Sequence, residues 1–350
     1  MLVHCSSSAH AQTMRLLWLR VGVMTIAASC TSPTTEKSST ASLARIQPSS
    51  TSSTTRPRST TAIEPPTTLP APTTTATTTT TAVASTVAAT VTLNQSMLID
   101  GRVRTWIVHV PATRDHTAMP LLIVLHGARS DAARFEAKTG YDDLADRDHF
   151  LVVYPDGFQP AASSTRTWNA GQCCPPASAA GIDDTRFVIA LLDRMEHDYP
   201  IDTGRVYLVG HSNGAMLAQR LGCEHPQRFA AVASVAGSMT VPRCTAQLPV
   251  SMLEIHGSAD VFVPLASAQA AIARWRAVDR CNPNADITTT ATTVTRSWRC
   301  DDGSDVRLME VIGAEHPWPG GRTPPPADEH ASDVLDATAV TWAFLTSHHR

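Results

Sequence analysis

No stretch of this 350-residue sequence is apolar for long enough to cross a bilayer comfortably. Between Leu93 and Arg350 no cluster of lysine and arginine stands out, and the formal net charge is only −3. Nothing therefore recommends a nucleic acid or an acidic polymer as partner. C-x-x-C and H-x-x-x-H spacings are missing around the cysteines, which argues against a metal site, and no cofactor is expected. What the first quarter lacks is apolar bulk. From Thr31 to Thr92 it is nearly all Ser, Thr, Ala and Pro, including the tract Thr74-Thr75-Ala76-Thr77-Thr78-Thr79-Thr80-Thr81. Such a segment cannot offset the entropy of ordering it, so residues 31–92 read as an extended stalk open to O-glycosylation.

What is present ahead of the stalk is a short export pattern over residues 1–30. Arg15 and Arg20, downstream of a second candidate start at Met14, precede an apolar core from Val21 to Ala28. The core ends in Ala27-Ala28-Ser29-Cys30, which resembles a bacterial lipobox with Ala27 where leucine is usual. Cys30 is then the expected site of lipidation, tethering an exported protein to the cell surface; the other reading is ordinary cleavage with Cys30 incidental. Residues 93–350 suit one α/β domain, expected to be a monomer.

Six cysteines fall in that domain: Cys173, Cys174, Cys223, Cys244, Cys281 and Cys300. An even count in an exported chain argues for disulfides. Many connectivities are open; the pairs expected are Cys281 with Cys300 and Cys223 with Cys244. The adjacent Cys173 and Cys174 either form a vicinal bridge or stay reduced.

Apolar runs alternate with helical patterns from Leu93 onward, the signature of a mainly parallel sheet with helices on both faces. Strands are predicted at Arg104 to Val110, Leu121 to Leu125, Phe150 to Tyr154, Val206 to Val209, Ala230 to Val235, Val250 to Ile255 and Arg307 to Val311. Helices are predicted near Arg134 to Arg147, Asp184 to Tyr199, Ala215 to Cys223, Ser267 to Asp279 and Ser332 to Ser347. Met97 to Val110 reads as an opening hairpin turning at Asp100-Gly101.

Gly210-His211-Ser212-Asn213-Gly214 lies between a predicted strand and a predicted helix. A nucleophile elbow turns so sharply that only small residues fit two positions either side of the serine, and glycine stands at both. The duller reading is a helix N-cap, which needs no flanking glycines. A serine hydroxyl becomes a good nucleophile only beside a histidine that a carboxylate orients. Asp260 and His316 follow in the order this hydrolase plan requires, each on a loop just beyond a strand. Asp202, Asp279 and Asp286, and His330, His348 and His349, are weaker rivals, while His211 and His256 read as structural neighbours. Backbone amides of Asn213 and of Ala128, in the His126-Gly127-Ala128 loop, are expected to form the oxyanion hole. Trp168 and Trp318 are candidates to line the acyl pocket, with core packing as the alternative.

With these residues in place the sequence resembles the polyhydroxybutyrate depolymerase and feruloyl esterase family of α/β hydrolases, within the esterase D-like set. The resemblance rests on Leu125-His126-Gly127, Val152-Val153-Tyr154-Pro155-Asp156-Gly157, Trp168-Asn169 with Cys173-Cys174, Asp183-Asp184, and Arg205-Val206-Tyr207 leading into Gly210 to Met216. His256 to Pro264 and His316-Pro317-Trp318-Pro319-Gly320 complete it. It departs at Glu315, where glycine is usual, and at Ala128, where many depolymerases carry cysteine; a separate polymer-binding domain is also missing. The resemblance implies the α/β-hydrolase fold and an exported serine esterase acting on hydroxyalkanoate oligomers, feruloyl or other small esters. Acyl transfer to envelope sugars by the same triad, and a non-catalytic surface protein, are the competing functions.

Overall fold

The computed structural model describes residues 89–112, 117–244, 246–322 and 332–350. The export pattern, Cys30 and nearly all of the stalk lie outside the described residues, as does His330. Among the described residues there are ten strands: β1 (Val91–Ile99), β2 (Arg102–Val110), β3 (Met119–Leu125), β4 (Leu151–Pro155), β5 (Ile201–His211), β6 (Ala231–Val235), β7 (Ser251–Gly257), β8 (Asp286–Thr289), β9 (Thr293–Arg299) and β10 (Asp305–Val311). The α-helices described are α1 (Ala132–Thr139), α2 (Tyr141–Asp148), α3 (Asp184–Asp198), α4 (Asn213–Glu224), α5 (Leu265–Val278) and α6 (Ala337–Thr346).

All ten strands form one sheet in the order β1-β2-β4-β3-β5-β6-β7-β10-β9-β8. The six from β4 to β10 in that order pair parallel, and antiparallel strands extend the sheet at both edges. Every residue of β3 is buried, which explains its unbroken apolar run. Leu121, Ile123 and Leu125 pack with α3, α4 and α5 on one face, while Leu122 and Val124 pack with α1, α2 and α6 on the other.

Several elements differ from expectation, β5 starting already at Ile201 and α6 only at Ala337. β1 begins at Val91, so the last residues assigned to the stalk are strand. The single helix expected from Arg134 to Arg147 is two, because Gly140 takes φ 63°, caps α1 through its amide to Glu136 O, and starts α2. The edge strands β8 and β9 carry mostly exposed or half-buried polar residues, so no apolar run announces them. Disulfides join Cys223 to Cys244, Cys281 to Cys300 and Cys173 to Cys174. The first two fix the far ends of α4 and α5 to neighbouring segments.

Asp279, the residue that closes α5, is buried with neither carboxyl oxygen hydrogen bonded among the described residues. Burial, with repulsion from Asp302 added, pushes its carboxyl up to about 7. The folded state therefore holds this proton more tightly than the unfolded chain, and the residue costs stability as pH rises from about 4 towards 7. Asp279→Asn should melt at a higher temperature than the wild type at pH 8, and the gap should close towards pH 4. A gap that ignores pH would count against a buried charge as its cause.

Candidate active site

β5 ends at His211 and α4 begins at Asn213, leaving Ser212 alone in the turn with φ 52° and ψ −120°. An L-residue adopts that conformation only at a cost of about 1–3 kcal/mol, which the surroundings must offset. A Cβ on Gly210 would collide with the backbone of Gly214, and one on Gly214 with the carbonyl oxygens of Leu125 and His126. Both glycines are thus required by close approach of main chain. Ser212 precedes α4 in the N-cap position, yet its side chain makes no capping bond. Its Oγ instead lies 2.9 Å from His316 Nε2.

His316 Nδ1 lies 2.8 Å from Asp260 Oδ2. A carboxylate only accepts, so Nδ1 carries the proton and Nε2 offers its lone pair to the Ser212 hydroxyl. Asp260 and His316 come from the loops after β7 and β10, parallel neighbours in the sheet, which is why residues 56 apart in sequence meet. The other Asp260 oxygen accepts the amides of Phe262 and Val263, each at 2.9 Å. Burial opposes its charge, but bonds from His256, His316 and Val263 prevail and hold the carboxyl well below the usual carboxylate range. The rivals lie elsewhere: Asp202 pairs with Arg205, Asp286 is exposed on β8, and His348 bonds Phe344 O.

Behind Asp260 lies a further pair of buried charged groups, His256 and Glu254. His256 Nδ1 donates to Glu254 Oε1 at 2.9 Å, and Nε2 donates to Val263 O at 2.7 Å with Asp260 Oδ2 at 3.4 Å. Both ring nitrogens therefore act as donors, the state of an imidazolium. Burial disfavours that charge, but the hydrogen bonds to Asp260 and Glu254 outweigh it and raise the group to about 10. Glu254 also accepts the Gly237 amide and Gln219 Nε2, at 3.0 and 3.1 Å. An acid inside the apolar run Met252-Leu253-Glu254-Ile255 was the available signal, because a buried carboxylate requires partners.

Two further histidines are neutral. Burial first, and then the neighbouring His316, push His211 down to about 3; its Nε2 bonds the His316 carbonyl at 2.9 Å. Burial lowers His126 to about 4; it donates from Nδ1 to Gly127 O at 2.7 Å and accepts the Gly157 amide on Nε2 at 3.0 Å. His126 thereby shapes the loop where Ala128 sits. A Cβ on Gly127 would lie 3.5 Å from Ser212 Cβ, so this loop and the Asn213 end of α4 both border the serine. The Asn213 side chain closes a two-bond pair with the Trp168 backbone, at 2.7 and 3.0 Å.

Trp168 and Trp318, expected at the acyl pocket, are instead fully buried. The Trp168 indole donates to His126 O at 2.9 Å, and that of Trp318 to Thr338 at 3.1 Å, with Phe135 and Tyr141 edge-on to the Trp318 ring. Each ring is packed beside a site loop, the arrangement of the core-packing alternative. Glu315 lies half-buried before His316. Among the described residues no group of His, Cys, Asp or Glu is arranged to hold a metal ion, and no helix is long and apolar enough to cross a membrane.

A strained serine, a histidine with a free lone pair and a carboxylate held by two amides form a relay able to activate the hydroxyl for attack on a carbonyl. The sequence pattern described as Esterase PHB depolymerase matches residues 105–294. A Nocardia uniformis subsp. tsuyamanensis protein that bears the name "Putative esterase NocK" is 29% identical over 286 residues, 71% of this chain and 81% of that protein. Poly(3-hydroxyalkanoate) depolymerase C of Paucimonas lemoignei is 33% identical over 129 residues, 37% of this chain and 30% of its own length. A CE1 ferulic acid esterase from Anaeromyces mucronatus, solved with ferulic acid, superposes with a TM-score of 0.52 at 16% identity, covering 75% of this chain and 92% of its own. The shared architecture is the α/β-hydrolase fold.

Proposed function

Since the chain belongs to the Esterase PHB depolymerase family of carboxylic ester hydrolases, we propose that it is an exported serine esterase working through an acyl-enzyme. The observation that carries this is the unbroken chain from Ser212 through His316 to Asp260, at 2.9 and 2.8 Å. As Ser212 Oγ attacks the ester carbonyl, His316 Nε2 takes its proton and Asp260 stabilises the resulting imidazolium. The amides of Asn213 and Ala128 receive the oxyanion. Collapse breaks the bond to the leaving alcohol, which takes the proton from His316; water then repeats the attack and frees Ser212.

Hydroxyalkanoate oligomers and feruloyl or other small esters are the proposed substrates, reached by a domain that Cys30 and the stalk tether outside the cell. A fluorophosphonate probe should label Ser212 covalently, which a non-catalytic surface protein would not permit. Rates on methyl ferulate, acetylated xylan, hydroxybutyrate oligomers and p-nitrophenyl esters, with and without added sugar alcohols, then rank the substrates. Products joined to the sugar would replace hydrolysis by acyl transfer.

A further inference from the structure

An open cleft of about 720 Å³, within the size range of small-molecule sites, lies where β2 begins and the chain leaves β4. Its walls are the start of β2, with Arg102, and the segment after β4, with Asp156, Gly157, Phe158, Gln159 and Arg166. β2 runs antiparallel to β4, so its first residues stand at the carboxyl end of the sheet, the edge from which the Ser212 turn also rises. That is where ligands gather in such sheets.

The segment 156–168 is a small hairpin. Phe158 and Thr167 exchange both backbone hydrogen bonds, at 2.8 and 3.0 Å. Its stem is bonded to both halves of the site: Arg166 O accepts the amide of Arg129, next to Ala128, at 2.9 Å, and Trp168 bonds His126 O and the Asn213 side chain. One hairpin thus both walls the cleft and is bonded to the two segments that border Ser212.

Charge in the cleft is unevenly committed. Asp156 is engaged by the Thr105 hydroxyl at 2.7 Å, the Ala132 amide at 3.0 Å and Arg166 Nη1 at 3.3 Å. Arg104 turns inward to a buried pair with Asp184 at 2.7 Å. Arg102 instead lines the cleft with its guanidinium 5.2 Å from the centre of the Phe158 ring, a cation–π approach that restrains it there. Arg166 bonds Gly157 O and Asp156 through Nη1, the other edge of its guanidinium carrying further donors.

The geometry points to a subsite for a carboxylate, carried at the far end of the chain whose ester is cleaved at Ser212. Arg102 and Arg166 supply the planar N–H forks that match a carboxylate, and Phe158 supplies an apolar floor for the carbons before it. The carboxylate comes either from the free acid terminus of a hydroxyacid oligomer or from a uronic acid in a sugar chain. This rests on the esterase reading and narrows it to acid-bearing esters.

The test compares matched substrates in one protein: a hydroxybutyrate trimer as free acid against its terminal methyl ester, and an acetylated uronic acid disaccharide against its methyl ester. The wild type should prefer the free acid of at least one pair by about five- to tenfold in kcat/KM, as expected of two partly exposed charge pairs. Arg102→Gln should bring that ratio close to one, and Arg102→Glu should invert it in favour of the methyl ester. Because the ratio is taken within each variant, loss of folded protein cancels. No preference in the wild type for either pair, or a preference that survives Arg102→Glu, overturns the subsite. Failure of the wild type to cleave any p-nitrophenyl ester would instead overturn the esterase reading itself.

Discussion

Ser212→Ala should lower kcat for a short p-nitrophenyl ester by about 10⁴-fold or more, with little change in melting temperature. The hydroxyl is half of a single hydrogen bond to His316 and caps nothing, so its removal leaves the turn and α4 intact. The strain at φ 52° belongs to the backbone and to Gly210 and Gly214, and alanine inherits it unchanged. Rate and stability are therefore expected to separate cleanly. Retention of more than a tenth of the activity would sink the assignment of Ser212 as nucleophile. A loss matched by a large fall in melting temperature would assign the serine to the fold instead.

His256→Gln should do the reverse, removing stability and activity together. The imidazolium lies between Asp260 and Glu254, and its deletion leaves two buried carboxylates short of their shared cation. Breaking a buried charge cluster in this way costs about 3–5 kcal/mol. His256 is raised from 6.5 to about 10, so the stability it contributes is complete below about pH 6.5, declines above it and is gone past about 10. Denaturant midpoints of wild type and variant should accordingly converge as pH approaches 10. In surviving enzyme kcat/KM for a p-nitrophenyl ester should fall, because Asp260, the partner of His316 Nδ1, loses the cation behind it. Unchanged kcat/KM would mean that His256 serves the fold alone. Glu254→Gln is the companion variant, because it keeps His256 and removes one of the two carboxylates around it, and it should cost less activity than His256→Gln.

The parts of the molecule legible in the sequence are those where one residue type meets one physical demand. Gly210 and Gly214 are imposed by backbone contact, β3 is apolar because both its faces are covered, and Asp260 and His316 follow buried strands. Long-range polar contacts were less legible. Nothing local to Asn213 says that its side chain pairs with the backbone of Trp168, and nothing local to Trp168 says that its ring supports His126 from beneath. A tryptophan near a nucleophile suits a pocket wall and a buried prop equally well until its exposure is known. The outer strands β8 and β9 are hidden because half-exposed threonine and arginine carry no periodic apolar signal, and the α1–α2 break because the side-chain pattern runs on through Gly140.

The hairpin of residues 156–168 meets the His126–Ala128 loop and Asn213 through its stem, at the Gly157 amide, Arg166 O and Trp168, while Gln159 to Ala161 at its tip line the cleft. The tip can therefore lengthen, shorten or change charge over generations without disturbing the atoms that perform the chemistry. Variation in what the cleft accepts thus has a stretch of chain open to it that makes none of the hydrogen bonds around Ser212.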